Sequence, residues 1–283
     1  MIHLNAPEPS RDSSSQSPSS PPPHLGDENQ ELLHGGKVMS VTDHLDELRR
    51  RVMTSLWAVV ILFVLAFVFA ADIIKILEQP LLEVLPAAQK NLHFTGTLDV
   101  FMTSIKVAIL VGVVMACPVW IYQFWKFFEP ALYPTEKRYV QPFIFLSILM
   151  FGLGVAFCYF VILPSTLDFL IKMGTDIAIP IISIKDYIHF LMLMFFGFGL
   201  IFETPVLIVL LGLLDVISVD SLKGSRRIVF IIILIVAAIA TPSPDPFTQM
   251  ALAIPVYGMY EAAIFILKKI KKKDVHSLEK QPP

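Results

Sequence analysis

The chain has 283 residues, of which 55% are hydrophobic and only 16% charged, with a mean hydropathy of +0.69 and a net charge of −2. A soluble domain carries about 25% charged residues, so this composition cannot cover a water-facing surface and argues against a soluble enzyme. The near-zero charge gives no reason to expect nucleic acid as a partner, and two cysteines, Cys117 and Cys158, both inside apolar runs, read as small packing residues rather than a disulfide framework or metal site.

Residues 1–38 contain the run SSSQSPSSPPP and almost no apolar text. Such a segment cannot bury enough surface to offset its ordering entropy, which predicts a disordered tail. Six apolar runs follow. The first, Val52–Ala71, comes directly after Arg49-Arg50-Arg51 and has the length of a membrane span. The second, about Val100–Phe128, contains Lys106 and Pro118, and the proline predicts a kink. The third runs from about Val140 to Leu163 and is expected to end at Pro164. The fourth, about Tyr187–Leu214, holds Glu203 and Pro205. The fifth, Ile228–Ala240, stops at TPSPDP, and the sixth, about Met250–Leu267, runs into a lysine cluster.

Between the first two spans, Asp72–Asp99 is broken by Pro80 and Pro86 and reads as short amphipathic helices lying on the interface. Pro164–Asp186 is expected to behave similarly. Basic residues gather before span one, around the 2–3 and 4–5 connections and after span six. The positive-inside rule then puts both termini in the cytoplasm. The fold expected is an all-α polytopic integral membrane protein of six transmembrane helices, N-in and C-in. Spans five and six both read as short, and Ile228–Ala240 would cover only about 20 Å of a hydrocarbon core of roughly 30 Å, so one side of the molecule should be low-walled.

Three segments can carry function. In SVTDHLDELRRR (40–51), Val41, Leu45, Leu48 and Val52 share a helical face, acids fill the early turns and arginines the last. This is either a positive-inside anchor or an acidic recognition surface. The 2–3 connection, FEPALYPTEKR, adds Glu129 and Glu136. With the acidic helix these make a negative patch suited to an arginine-bearing peptide, because a guanidinium fork matches a carboxylate in a way lysine does not. The third is Glu203 in LIFETPVLIVL. A charge in mid-span costs about 2.5–3.5 kcal/mol on insertion scales and marks a functional residue by default. It is otherwise a protonated packing residue, or the proton carrier of a small-molecule transporter. Gln249, early in span six, is a second polar group at membrane depth, expected to face the same cavity. No metalloprotease, nucleophile-elbow or Walker motif is present, so no enzymatic activity and no cofactor are expected.

Four ordered stretches together resemble the TatC family, the polytopic subunit of the twin-arginine protein translocase: HLDELRRRV, YQFWKFFEPALYPTEKR, FGLIFETPVLIVLL and ATPSPDPFTQMALAIPVYGMYE. The resemblance covers about residues 40–268. It implies a concave six-span bundle in a bacterial inner membrane, acting as a receptor for twin-arginine signal peptides. It further implies self-association in a multi-copy complex, TatA and TatB as single-span partners, and transport of folded proteins driven by the proton-motive force. By motif, Glu136 matches the loop glutamate that binds the paired arginines, and Glu47, Arg49, His44 and Leu48 match the N-terminal part of that site. Glu203 matches the fourth-span glutamate where partner helices dock, with Gln249 nearby. Pro80 and Asp245 match a proline and an acid of the external connections. Glu129 lies outside the family pattern and is a further candidate for the arginine site.

Overall fold

The computed structural model describes residues 41–85, 93, 96–132, 137–175, 182–241 and 246–278. The predicted N-terminal tail, Pro86, Glu136 and Asp245 lie outside the described residues. Helices account for nearly all of them: α1 (Val41–Val68), α2 (Ala70–Val84), α3 (Asp99–Met115), α4 (Cys117–Phe128), α5 (Val140–Phe157), α6 (Leu163–Thr175), α7 (Ile184–Leu213), α8 (Val219–Gly224), α9 (Arg226–Ala240) and α10 (Pro246–Leu278). The amphipathic segment and the first span form one uninterrupted helix, α1. No strand occurs among the described residues, apart from a single bridge between His93 and Ser183.

Four helical stretches are long and apolar enough to cross a membrane: His44–Val68, Lys137–Thr175, Ile184–Leu213 and Thr248–Lys271. The pair α3 and α4, bent by 52° at Ala116, makes a fifth when counted as one span. The bend is where Pro118 predicts it. Proline has no N–H to give the Val114 carbonyl four residues back, and at the bend the Trp120 indole N–H donates to the neighbouring Val113 carbonyl at 3.2 Å. Helix α9 has 15 residues, about 22 Å of helix, and falls short of a full crossing as the sequence suggests. Helix α10, expected to be short as well, is not, because it starts before Met250 and runs on through the lysine cluster, giving Thr248–Lys271 the length of a full span.

Two prolines behave differently from expectation. Pro80 does not divide the first connection into short helices. It sits buried inside α2, which the sequence expects to be broken there. Pro80 leaves the Ile76 carbonyl without a helical donor, and the Tyr159 hydroxyl supplies one at 2.8 Å. The Tyr187 hydroxyl donates to the next carbonyl, that of Leu77, at 2.6 Å. Two side chains from other helices thus replace what the proline removes. Pro164 likewise does not end the third span. Residues Cys158–Ile162 form a π-turn, the Leu163 N–H reaches back to the Cys158 carbonyl, and the helix continues as α6. The wider turn makes room for the proline ring without breaking the chain of bonds.

Helix α7 organises the rest. It contributes to both buried apolar clusters, one shared with α2, α3 and α6, the other with α4, α5, α8 and α10. Glycines allow its closest approaches: a Cβ on Gly199 would stand 2.6 Å from the Phe151 ring, and one on Gly154 would stand 2.7 Å from the Phe198 carbonyl. The GFG stretch of α7 is therefore a packing site for α5. Helix α1 packs against α3 and α4, with Gly112 set against the Phe63 backbone, and leaves Trp57, Ile61 and Val64 exposed. Such a face suits lipid. Cys117 and Cys158 are free and buried.

The α5–α7 contact gives a paired test. Gly154→Ala should lower the thermal unfolding midpoint, at a cost of about 1–3 kcal/mol, because backbone rather than a flexible side chain meets the new methyl. Gly152→Ala, where nothing lies within 4 Å, should leave the midpoint unchanged. Differential scanning fluorimetry in detergent reads both.

Candidate functional site

The N-terminal half of α1 lies against α4, and this brings two of the sequence candidates together. The His44 ring stacks on Phe127 with centroids 4.3 Å apart and planes 19° from parallel. The Arg51 guanidinium donates to Glu47 Oε1, with Nε at 2.9 Å, and through Nη1 to the Gln123 amide oxygen at 3.3 Å. Spacing explains the pairing on α1, where residues four apart share a face. Glu47 therefore sits half-buried at the α1–α4 seam. Its second oxygen, Oε2, is shielded from solvent and has no partner among the described residues. Leu48 and Arg49 are exposed beside it.

Glu129 follows the last turn of α4. It pairs with Lys126 at 2.7 Å, which occupies one of its oxygens locally. Glu47 and Glu129 thus flank the same helix, one held by Arg51 and the other by Lys126. Each carboxylate carries one cation, so neither is an isolated charge. The loop that carries Glu136 joins this segment to α5 and lies outside the described residues.

Glu203 is buried in α7, at 8% exposure, and faces α5. The α5–α7 register, with Phe151 on Gly199 and Gly154 on Phe198, sets Ser147 opposite its carboxyl group, and Oε1 has no partner among the described residues. Ser147 in turn accepts the Trp125 indole N–H at 2.9 Å. Trp125 and Ser147 are both 1% exposed. The sequence reading singles out neither. A serine inside an 18-residue apolar helix is the signal available, since a hydroxyl at that depth needs a partner.

Gln249 does not join Glu203. Its amide donates to the Leu234 carbonyl of α9 at 2.9 Å, so it ties α10 to α9. A second tie, Arg226 to Glu261 at 2.7 Å, with Tyr257 donating to the same carboxylate at 3.2 Å, links the N-terminus of α9 to α10. Between α7, α9 and α10 lies an apolar cavity of about 150 Å³, lined by residues that include Thr204, Pro205, Val229, Val236, Leu252 and Tyr260. Neither Glu203 nor Gln249 lines it. Pro80 is placed as described, beneath two tyrosine hydroxyls. No group of three or more metal-ligating side chains occurs among the described residues.

Comparison with known proteins meets the same segments. The family model for the Sec-independent protein translocase protein (TatC) matches residues 43–255. The Sec-independent protein translocase protein TatC of Carboxydothermus hydrogenoformans is 35% identical over 238 residues, covering 84% of this chain and 96% of that protein. The TatC of Aquifex aeolicus is 38% identical over 241 residues, 84% of this chain and 99% of its own. A crystal structure of a twin-arginine translocase receptor, TatC, superposes with a TM-score of 0.66 at 37% identity, covering 81% of this chain and 99% of that one.

The tie from Gln249 is testable by itself. Gln249→Ala should speed amide hydrogen exchange in α9 around Leu234–Ala238 several-fold while leaving α7 unchanged. Loss of one such bond is worth about 1 kcal/mol. Exchange mass spectrometry on the purified protein checks it.

Proposed function

Since this chain belongs to the TatC family of Sec-independent protein translocase proteins, we propose that it is the receptor subunit of a twin-arginine translocase. In this reading it binds signal peptides bearing a paired arginine at the cytoplasmic face. With single-span TatA and TatB partners, and in several copies, it passes folded proteins across a bacterial inner membrane, driven by the proton-motive force. Six spans with both termini inside fit the distribution of basic residues, with α9 as a short fifth span at a thinned part of the bilayer.

The observation that carries the proposal is the seam between α1 and α4. Glu47 keeps one carboxylate oxygen engaged with Arg51 and leaves the other shielded and unpartnered. An incoming guanidinium matches that vacancy in charge and geometry. Glu136, in the adjoining loop, supplies the second carboxylate, and Glu129 lies close enough in sequence to contribute when released from Lys126. His44, Leu48 and Arg49 border the peptide's path. A guanidinium presents its donors in a planar fork where a lysine is a compact, strongly hydrated point charge, so an arginine can reach the open Glu47 oxygen while donating to a second acceptor, which favours twin-arginine over twin-lysine sequences.

Glu203 serves the partners rather than the peptide. A carboxyl group at membrane depth with a free oxygen can accept a hydrogen bond from a polar side chain of a docked transmembrane helix, where no water competes. Gln249 and the α9–α10 pair provide a neighbouring surface for the same purpose.

Photo-crosslinking separates these roles. With probes at positions 44–51 and 129–138, Glu47→Ala and Glu136→Ala should each reduce labelling of a twin-arginine peptide by about tenfold or more, the loss of one charge-assisted contact. A twin-lysine peptide should label weakly throughout. Undiminished labelling in both variants would remove the arginine site from this seam. Separately, Glu203→Ala should leave peptide labelling intact but reduce co-purification of TatA and TatB and stop export of a twin-arginine cargo. Unchanged co-purification and export would show that the carboxyl group has another use.

A further inference from the structure

Helix α4 carries two sets of polar contacts on opposite sides. Gln123 and Phe127 meet Arg51 and His44 at the seam with α1. Trp125, two residues from both Gln123 and Phe127, points about 200° away from each at 100° per residue and is buried at 1% exposure. Its indole N–H donates to Ser147 Oγ at 2.9 Å, and Ser147 stands opposite Glu203 across the close α5–α7 contact. The inventory of protons gives this chain a direction. An indole only donates, and the serine hydroxyl, having accepted, keeps one proton to donate to the Glu203 carboxylate. Each member is confined. Trp125 stacks on Phe143 with centroids 5.4 Å apart, and the close α5–α7 approach at Gly154 and Gly199 holds Ser147 within reach of Glu203.

We infer that Trp125 and Ser147 are positioning residues for Glu203. They fix the membrane-depth carboxyl group to the helix whose other face forms the arginine-receiving seam. A displacement of α4 on peptide binding is then transmitted to Glu203 through the Trp125–Ser147 hydrogen bond and the facing Ser147 hydroxyl, because Trp125 and Gln123 belong to one rigid helix. The orientation of the unpartnered Oε1, and with it the readiness of α7 to accept a partner helix, follows the position of α4. This rests on the reading of α1–α4 as the peptide seam and of Glu203 as the partner-docking group.

Infrared difference spectroscopy of the full-length protein in lipid nanodiscs tests the bond independently of that reading. The Glu203 carboxyl band is identified as the one lost in Glu203→Gln. Ser147→Ala should shift it, Trp125→Phe should shift it less, and Ser147→Thr, which keeps the hydroxyl, should restore the wild-type position. An unshifted band in Ser147→Ala overturns the inference. A second readout addresses the role. Ser147→Ala and Trp125→Phe should lower cargo export by about tenfold, the cost of one hydrogen bond to a charged group, with twin-arginine peptide labelling unchanged and export recovered in Ser147→Thr. Peptide labelling that falls in step with export, or no recovery in Ser147→Thr, would reduce the two residues to general packing and overturn the positioning role. If the band shifts as expected but Glu203→Gln itself exports normally, the positioning stands and the docking role of Glu203 fails.

Discussion

Within an apolar layer a backbone carbonyl that loses its helical donor finds no water to replace it, and this chain places prolines inside several of its helical runs. Its architecture is largely the set of answers to that shortage. At Pro118 the helix bends by 52° and an indole serves the Val113 carbonyl. At Pro80 two tyrosines from distant helices donate to consecutive carbonyls, which locks α2 onto α7 and the π-turn. At Pro164 the helix widens by a π-turn instead. At Pro205 the Ile201 carbonyl loses its donor beside the apolar cavity that both residues line. At Pro80 the solution also fixes one helix against others, so that proline shapes the bundle as well as interrupting a ladder.

This explains which parts of the fold are readable from the chain. The long runs in α1, α5, α7 and α10 announce themselves by composition alone, and Pro118 predicts its own bend because the consequence is local. Pro80 and Pro164 mislead. Whether a proline breaks a helix depends on whether something else can serve the orphaned carbonyl. For Pro80 that something is a hydroxyl 83 residues further along for Ile76 and one 110 residues along for Leu77. No local pattern carries that information. The site divides in the same way. His44, Glu47 and Glu129 stand out as charges near a span. The contact of α1 with α4 that gathers them depends on Phe127 and Gln123, which look like ordinary members of an aromatic helix.

Charge at the connections is less free than a count of lysines and arginines suggests. Arg51, Lys126, Lys223, Arg226 and Lys271 all have carboxylate partners. Such half-exposed pairs add little stability, commonly below about 1 kcal/mol each. Their effect is geometric. Arg226–Glu261 and Lys271–Asp215 stitch the connection between α7 and α9 to α10, and Asp215 sits at a positive φ of 55°, a conformation that costs a non-glycine residue and is held here by the lysine. Helix α9, whose sides toward lipid expose Ile228, Ile231, Ile235 and Ile239, gains its position mainly from these links and from Gln249, with a cavity rather than close packing behind it.

Rigid and yielding parts are therefore unequally distributed. Helices α5 and α7 approach so closely that glycine is required at the contact, which leaves no slack between Ser147 and Glu203. Helix α9 has slack on the side of α7. Under the proposed function, a helix docking at membrane depth would meet a fixed carboxyl group on one side and a displaceable short helix on the other. Helix α4 joins the fixed part to the acidic seam through Trp125, so a change at the seam has a stiff route inward but no comparable route to α9. The arrangement favours a receptor that changes the presentation of one buried group over one that opens a continuous pore.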